Sequence, residues 1–226
     1  MLRKSIALIL VVCLITLAGP AALADEHQSS EQRAVLITGA STGLGRAMAE
    51  LMASEGHFVY AGARKDKDIA ELNAIENIQA VRLDVTDQAQ IDAAVKTIEK
   101  AGRGLHGLIN NAGVAIVFPL IGVPMSELDW LMEVNVYGPV RVTQAFAPMI
   151  IESGGRISTT GSISGILSGR MFGPYSMTKH AMEAFTDSLA VEMEPQGVHV
   201  SIIEPGNYES NIGQNVLARM EKQGYG

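Results

Sequence analysis

The strongest indication of the fold is "VLITGASTGLGRAMAE", residues 35–50. An apolar, β-branched run passes through Gly39, Gly43 and Gly45 into a segment with the composition of a helix. Glycine permits positive φ and lets the backbone approach a ligand closely, and the start of a helix offers free N–H groups to an anion. The stretch therefore predicts a strand–turn–helix unit that binds a phosphate group, unless the glycines serve only tight packing of helix on strand.

The same alternation of strand and helix continues along the chain. Apolar, β-branched runs predict six strands, at Ala34–Thr38, Phe58–Ala63, Ile78–Leu83, Leu105–Asn110, Arg156–Thr159 and Val198–Glu204. The segments between them predict helices at Leu44–Ser54, Asp66–Asn73, Gln88–Lys100, Ser126–Ile151 and Tyr175–Glu194. Asp87 and Ser126 are predicted N-caps, and Pro195 with Gly197 is expected to end the last helix. The pattern predicts an α/β fold, a Rossmann-like doubly wound parallel sheet in three layers, with ligands beyond the carboxyl ends of the strands.

The first 24 residues have the layout of a secretory signal peptide. Arg3 and Lys4 precede an apolar run from Ile6 to Ala18, and the A-x-A sequence of residues 22–24 precedes the polar Asp25. The apolar run is shorter than the roughly 20 residues that a membrane-spanning helix needs. We expect cleavage and export to a periplasm, a lumen or the medium, with an uncleaved N-terminal membrane anchor as the alternative.

The rest of the chain is expected to form one domain. Residues 25–32 read as a polar linker, and residues 33–226 are sufficient for a single nucleotide-binding domain with a substantial core. The only cysteine, Cys13, lies in the N-terminal segment, so residues 25–226 offer neither a disulfide nor a thiolate metal site. The net charge of −7 argues against nucleic acid as a partner.

A second motif lies late in the chain, in "GPYSMTKHA", residues 173–181. Tyr175 and Lys179 stand four residues apart and therefore share one face of a predicted helix. Taken alone, the pair is either a catalytic acid with a cation beside it or a solvated pair on a helix surface.

The ordered set of motifs resembles the short-chain dehydrogenase/reductase family. The loop "TGASTGLG" has the spacing Gly-x-x-x-Gly-x-Gly of that family's cofactor loop, and the likeness extends from about Ala34 to Ser210. Residues 173–206 are similar to the retinol and steroid dehydrogenase branch. The further matching motifs, in order, are Asp84-Val85, the Asn-Asn-Ala-Gly segment Asn110–Gly113, Asn135 in "NVYG", and Ser162, which lies thirteen residues before Tyr175.

The resemblance implies four catalytic residues. Tyr175 would exchange a proton with the substrate oxygen, with its pKa lowered from near 10 by about three units through the neighbouring Lys179 and an oxidised nicotinamide. Lys179 would also hold the nicotinamide ribose, and Ser162 would hydrogen-bond the substrate oxygen. Asn135 would hold a water that links Lys179 to solvent; the alternative is an interior amide bonded to the backbone.

The resemblance also implies a nicotinamide cofactor and no metal. NADP(H) is favoured over NAD(H), because Ala63 stands where NAD enzymes usually carry an acid, and the following Arg64 suits a 2′-phosphate unless it points to solvent. The implied cofactor-binding residues are Gly39, Ser41, Thr42, Gly43, Leu44, Gly45, Arg64, Asp84, Val85, Asn111, Ala112, Gly113, Tyr175, Lys179, Pro205, Gly206 and Ser210.

We therefore expect an oxidoreductase that interconverts an alcohol and a ketone or aldehyde. A lipophilic substrate is favoured by the apolar residues near the motifs, namely Val114, Val117, Phe118, Ile163, Ile166, Leu167, Met171 and Phe172. Only 22 residues follow the sixth predicted strand, whereas the family usually continues through a lid, a helix and a seventh strand. The expectation is an exposed sheet edge, in either a fragment or a short form with reduced activity, and the alternative of a non-catalytic or crippled dinucleotide-binding protein stays open. Self-association and membrane association through residues 1–24 are open.

Overall fold

The computed structural model describes residues 32–206, 208, 212–222 and 224. Within them, strands and helices alternate as predicted. The strands are β1 (Ala34–Ile37), β2 (Phe58–Ala63), β3 (Ile78–Arg82), β4 (Gly107–Asn110), β5 (Arg156–Thr160) and β6 (His199–Ile203). The α-helices are α1 (Gly43–Ser54), α2 (Asp66–Asn73), α3 (Gln88–Ala101), α4 (Met125–Met132), α5 (Gly138–Glu152), α6 (Gly173–Met193) and α7 (Ile212–Lys222).

The described strands form one parallel sheet in the order β3-β2-β1-β4-β5-β6. The order reverses between β1 and β4, and in open sheets of this kind ligands bind at that switch point, beyond the carboxyl ends of the strands. The predicted doubly wound α/β fold is confirmed. Within the described sheet β6 is an edge strand, and Ile203 at its end is 54% exposed.

The core lies on both faces of the sheet, because successive side chains of a strand point to opposite sides. On one face Leu36 and Tyr60 pack with Phe146 of α5. On the other face Ile37 packs with Leu72 of α2. All four residues of β1 are buried, which explains why its sequence is continuously apolar rather than alternating.

The predicted helix ends are confirmed at two places and wrong at one. The Asp87 carboxylate caps α3 by accepting a hydrogen bond from the backbone N–H of Gln90 at 3.2 Å. Gly197, with φ 71°, follows the 3₁₀ turn that ends α6. Ser126 is not an N-cap: α4 begins at Met125 after the extended Pro124, and Ser126 is an exposed residue of its first turn. Proline is well suited to the residue just before α4, because its fixed φ fits the entry to a helix and its missing N–H would have no partner there.

The long middle helix predicted at 126–151 is interrupted by a π-helical turn, Glu133–Tyr137, between α4 and α5. There the N–H of Gly138 bonds to the carbonyl of Glu133, five residues back. Pro139 follows, and it has no N–H to donate to the carbonyl of Asn135. The turn places Asn135 in the interior, where 2% of its surface is exposed.

No described helix is both long enough and apolar enough to cross a membrane. The predictions made for residues 1–24, for most of the linker 25–32 and for Ser210 lie outside the described residues.

Candidate active site

The predicted site residues gather at the carboxyl edge of the sheet. Gly39 follows β1, Asn111 follows β4, Ser162 follows β5 and Pro205 follows β6. Since all these strands run parallel, their carboxyl ends meet at one edge. The structure thus brings the dispersed motifs together, as the fold predicts.

Two glycines of the loop after β1 are required by close packing. Gly39 has φ +65°, and a Cβ there would lie 2.8 Å from the Cα of Ala112. A Cβ on Gly45 would lie 2.4 Å from both the Asn111 Nδ2 and the Gly39 carbonyl oxygen. These glycines therefore let α1 and the end of β4 approach β1, so the packing explanation applies to them whether or not a ligand binds.

The start of α1 remains available to an anion. Thr42 precedes the helix in an extended conformation and makes no side-chain cap hydrogen bond, which leaves N–H groups of the first turn for a ligand. Thr42 is exposed, while Ser41, Gly43 and Leu44 are partly buried. An uncapped helix start with accessible hydroxyls fits the pyrophosphate of a dinucleotide.

Thr38 organises this edge and was not predicted as a site residue. Its Oγ1 accepts hydrogen bonds from the backbone N–H groups of Asn111 (2.9 Å) and Ala112 (3.0 Å). The Asn111 side chain in turn donates to the carbonyls of Thr38 (2.9 Å) and Gly39 (3.2 Å). The signal was present in the sequence, because Thr38 ends a buried strand just before the glycines. Asn111 is predicted to bind cofactor, but its side-chain amide donates to these loop carbonyls and so fixes the loop.

Ser162, Tyr175 and Lys179 come together as predicted. Tyr175 stands in the first turn of α6, where a hydrogen bond with the Ser162 side chain acts to lower the pKa of its phenol. The Lys179 Nζ lies 5.7 Å from the centroid of the Tyr175 ring and donates to the carbonyl of Thr160 at 2.8 Å. Lys179 is only 6% exposed, which excludes the reading of a solvated surface pair.

The Pro205–Gly206 turn also borders this group. The carbonyl of Pro205 accepts from the backbone N–H of Ile163 at 3.1 Å and so joins the end of β6 to the turn that carries Ser162. Gly206 is exposed, with open space where a Cβ would lie. Gly113, after β4, faces the same place: a Cβ there would lie 3.9 Å from the Lys179 Nζ.

The pKa values of Lys179 and Tyr175 are both shifted by burial. Burial lowers the pKa of Lys179 to about 8, opposed by the negative charge of Glu183. Burial raises the pKa of Tyr175, opposed by the hydrogen bond from Ser162. The direction for Tyr175 is the reverse of the predicted lowering. The physical reason is that the phenolate would lose its hydration in this interior, so in the protein alone Tyr175 retains its proton.

The Asn135 side chain is bonded mainly to backbone. Its Oδ1 accepts from the N–H of Val114 at 2.8 Å, and its Nδ2 donates to the carbonyl of Val114 at 2.8 Å and to the Thr178 hydroxyl at 3.1 Å. This matches the alternative of an interior amide, and its effect is to hold the segment after β4 against α6. That Asn135 holds a water stays a prediction.

Two charged groups, Arg64 and Asp84, lie together at the end predicted to bind adenine. The Arg64 side chain is 66% exposed, and its Nη1 lies 3.5 Å from the Asp84 Oδ2. Burial alone would raise the pKa of Asp84, but the hydrogen bonds from Thr86 and the charge of Arg64 outweigh it, so the pKa is lowered. Arg64 is therefore turned toward the predicted adenine-contacting residue. Val85 is buried, with its side chain packed near Gly138.

The side of the site that is predicted to receive substrate is apolar. Tyr175 packs against a cluster of Ile116, Phe118 and Leu131. Of the residues predicted to surround the substrate, Phe118 belongs to this cluster, and Val114 and Val117 are partly buried. The others are 37–66% exposed, namely Ile163, Ile166, Leu167, Met171 and Phe172. A pocket of about 290 Å³ opens there, lined by Pro119, Leu120, Gly169, Arg170, Met171 and Gly173. Among the described residues, no group of three or more His, Cys, Asp or Glu side chains is arranged to hold a metal ion.

Comparison with known proteins gives one family. Residues 33–221 match the model of the short chain dehydrogenases. Mitochondrial D-beta-hydroxybutyrate dehydrogenase of Bos taurus is 39% identical over 186 residues, which are 78% of this chain and 54% of that protein. The chain thus spans a little over half the length of the first curated relatives it matches.

Solved structures agree in fold. A short chain dehydrogenase/reductase from Burkholderia phymatum, in complex with NAD, has a TM-score of 0.78 at 29% identity and covers 85% of this chain and 72% of its own. A gluconate 5-dehydrogenase from Burkholderia cenocepacia, in complex with NADP and tartrate, has a TM-score of 0.77 at 26% identity and covers 82% and 75%. On the motifs, the fold and these matches, the chain belongs to the short chain dehydrogenase family.

Proposed function

We propose that this protein is an NAD(P)(H)-dependent oxidoreductase that interconverts an alcohol and a ketone or aldehyde, with Tyr175 as general acid/base. The observation that carries the proposal is the buried Lys179, whose Nζ lies 5.7 Å from the centroid of the Tyr175 ring, with Ser162 acting on the phenol, at the carboxyl edge of the sheet. If Tyr175 and Lys179 were a surface pair, the lysine would lie in solvent, whereas it is buried. Proton exchange at a carbonyl oxygen requires a positioned acid, which Tyr175 would be.

The residues present fit a nicotinamide dinucleotide, which when bound would supply or accept the hydride. The uncapped start of α1 would receive its pyrophosphate, and Lys179 and Gly113 face the nicotinamide end. Tyr175 would donate its proton to the substrate oxygen during reduction and withdraw it during oxidation. Ser162 would stabilise the charge that develops on that oxygen, and Lys179 would stabilise the phenolate that is left.

The raised pKa of Tyr175 in the free protein supports a role as proton donor. The phenol retains its proton until a substrate oxygen is placed within hydrogen-bonding reach. The pKa of Lys179, beside the Tyr175 ring, is lowered to about 8. Its positive charge, which would stabilise the phenolate, is therefore expected to be lost as the pH rises above about 8. Reduction is therefore expected to slow as the pH rises through about 8.

We further propose a preference for NADP(H). Arg64 follows β2 and is held toward the adenine end by Asp84, and Ala63 leaves no carboxylate to repel a 2′-phosphate. The variant with Ala63→Asp and Arg64→Ala is expected to shift the ratio of kcat/KM values toward NADH by tenfold or more, since one charge-assisted contact corresponds to about 1.5–3 kcal/mol. The control Lys67→Ala removes a nearby exposed cation of α2 and should leave the ratio unchanged. An unchanged ratio in the double variant would rule out this assignment.

The proposed substrate is lipophilic, because apolar side chains surround the mouth and Tyr175 packs on an apolar cluster. The decisive assay follows NADPH and NADH consumption with acetophenone and 2-decanone, beside the polar acetoacetate. Turnover with acetoacetate alone would contradict the lipophilic assignment.

Tyr175→Phe should abolish turnover and preserve cofactor binding. If the wild-type protein binds NADPH and turns over none of the ketones, the non-catalytic alternative is favoured.

We propose export of the protein on the strength of residues 1–24 alone, with a membrane anchor as the alternative. The basic residues Arg3 and Lys4, the apolar run and the A-x-A sequence support it. N-terminal sequencing of the protein from the producing cells should give a chain that begins at Asp25. A chain that begins at Met1 and sediments with membranes would support the anchor instead.

A further inference from the structure

Helix α7 is joined to α4 by one charged contact. The Arg219 guanidinium forms two hydrogen bonds to the Glu127 carboxylate, Nε to Oε2 at 2.6 Å and Nη2 to Oε1 at 3.0 Å. Its Cζ also lies 3.4 Å from the centroid of the Trp130 ring, one turn further along α4. A lysine could reproduce neither this bidentate pair nor the stacking on the indole in full.

Apolar packing contributes little to this attachment. Val216 is the only buried residue of α7, and Leu217 is 63% exposed. Glu127, in contrast, is 4% exposed, so its carboxylate depends on Arg219 for compensation of its charge. A buried carboxylate without a partner is strongly unfavourable. The position of α7 is therefore tied to the ion pair rather than to a hydrophobic face.

The contact reaches the substrate side of the site through Trp130. Trp130 packs against the cluster of Ile116, Phe118 and Leu131, on which Tyr175 also packs. Arg219 stacks on the same indole. The position of α7 is therefore coupled to the apolar wall beside the Tyr175 phenol.

We propose that Arg219 is a positioning residue: its ion pair with Glu127 and its stack on Trp130 hold α7 at the substrate side, and this position of α7 sets the affinity for substrate. The inference rests on the proposed function, because it assigns α7 to the substrate side of that same site. Binding of the dinucleotide, at the other side, is not expected to depend on Arg219.

The first test uses Trp130, which is the only tryptophan of the chain. Arg219→Ala should shift the tryptophan emission to longer wavelength and increase its quenching by acrylamide, because the indole loses its cover. Arg219→Lys should give an intermediate shift. Arg141→Ala is the matched control: Arg141 pairs with Glu133 at 2.8 Å and lies 5.9 Å from the Tyr137 ring, and its loss should leave the emission unchanged. An Arg219→Ala emission identical to that of the wild type would overturn the attachment of α7.

The second test separates binding from chemistry. With 2-decanone as probe, Arg219→Ala should raise KM about tenfold or more, with kcat and the Kd for NADPH within about twofold of the wild type. Arg219→Lys should restore part of the loss. A shifted emission with an unchanged KM would overturn the role in substrate affinity, as would a loss of NADPH binding equal to the rise in KM.

A third variant guards against misfolding. Glu127→Gln combined with Arg219→Met removes the ion pair without leaving a buried carboxylate unpaired. It should reproduce the emission shift and the raised KM while melting cooperatively, and a wild-type KM in this variant would refute the proposal. If the wild-type protein turns over none of the ketones, the proposed function fails and the substrate role fails with it, whereas the attachment of α7 is still decided by the Trp130 emission.

Discussion

The substitution Lys179→Met is expected to make the cofactor-free protein more stable at pH 7. Burial lowers the pKa of Lys179 from 10.5 to about 8, a difference of 2.5 units, since 10.5 − 8 = 2.5. At about 1.4 kcal/mol per unit, the charged ammonium destabilises the folded state by about 3 kcal/mol. The residue is 6% exposed, so solvent screens little of this. Loss of the hydrogen bond to the Thr160 carbonyl removes about 1 kcal/mol, which leaves a net gain of about 2 kcal/mol.

The sign of this effect changes with pH. Below about pH 8 the lysine is protonated in the folded and the unfolded chain, and the destabilisation is constant. Between about pH 8 and 10.5 the unfolded chain still binds a proton that the folded chain has released, so the free energy of unfolding of the wild type rises with pH. The advantage of Lys179→Met should therefore shrink above pH 8 and reverse before pH 10.5.

The assay is urea unfolding of both proteins at pH 7, 8, 9 and 9.5, with the difference in unfolding free energy plotted against pH. Lys67→Met, which replaces an exposed lysine of α2, is the control and should give a small, flat difference. If Lys179→Met is no more stable than the wild type at pH 7 and the difference stays constant to pH 9.5, burial does not lower the pKa of Lys179 as described. The same variant should lose turnover, because it lacks the ammonium that is proposed to stabilise the Tyr175 phenolate.

Three further substitutions test the contacts that build the site. Gly45→Ala places a Cβ 2.4 Å from backbone and should lower the urea-unfolding free energy by about 3 kcal/mol, whereas Gly213→Ala, in open space on α7, should be neutral or stabilising; equal effects would contradict the packing. Thr38→Val leaves two N–H groups without an acceptor and should lose about 2–4 kcal/mol, while Thr38→Ser should stay within about 1 kcal/mol of the wild type. Asn135→Ala unpairs the backbone of Val114 and should speed hydrogen exchange there, so unaltered exchange would count against the assigned bonds.

Much of the fold was predictable because its signals are local. The bounds of β2 and α2 agree with the prediction, since an apolar run and a polar helical segment adjoin there. The gathering of Gly39 and Ser162 at one edge followed from the parallel sheet. The first case rests on a few neighbouring residues, and the second on the sheet topology that such local signals imply.

What the sequence did not reveal depends on residues that are distant in the chain. The charge pair of Arg219 and Glu127 joins positions 92 residues apart, and neither has a local signature. The raised pKa of Tyr175 follows from how deeply α6 buries it, which periodicity does not measure. The π-helical turn did have a signal, Pro139, but the consequence for Asn135 required the contact with Val114.

Isotope labelling can follow the transferred hydride itself. Purified residues 25–226 would be incubated with NADPH carrying deuterium at both C4 positions of the nicotinamide and with 2-decanone, and the alcohol analysed by mass spectrometry. Wild-type protein should give one deuterium per molecule, on the carbinol carbon, and Tyr175→Phe should give none, although both bind NADPH. Binding of NADPH by the wild type without deuterated alcohol, or equal deuterium transfer by Tyr175→Phe, would contradict the proposed function.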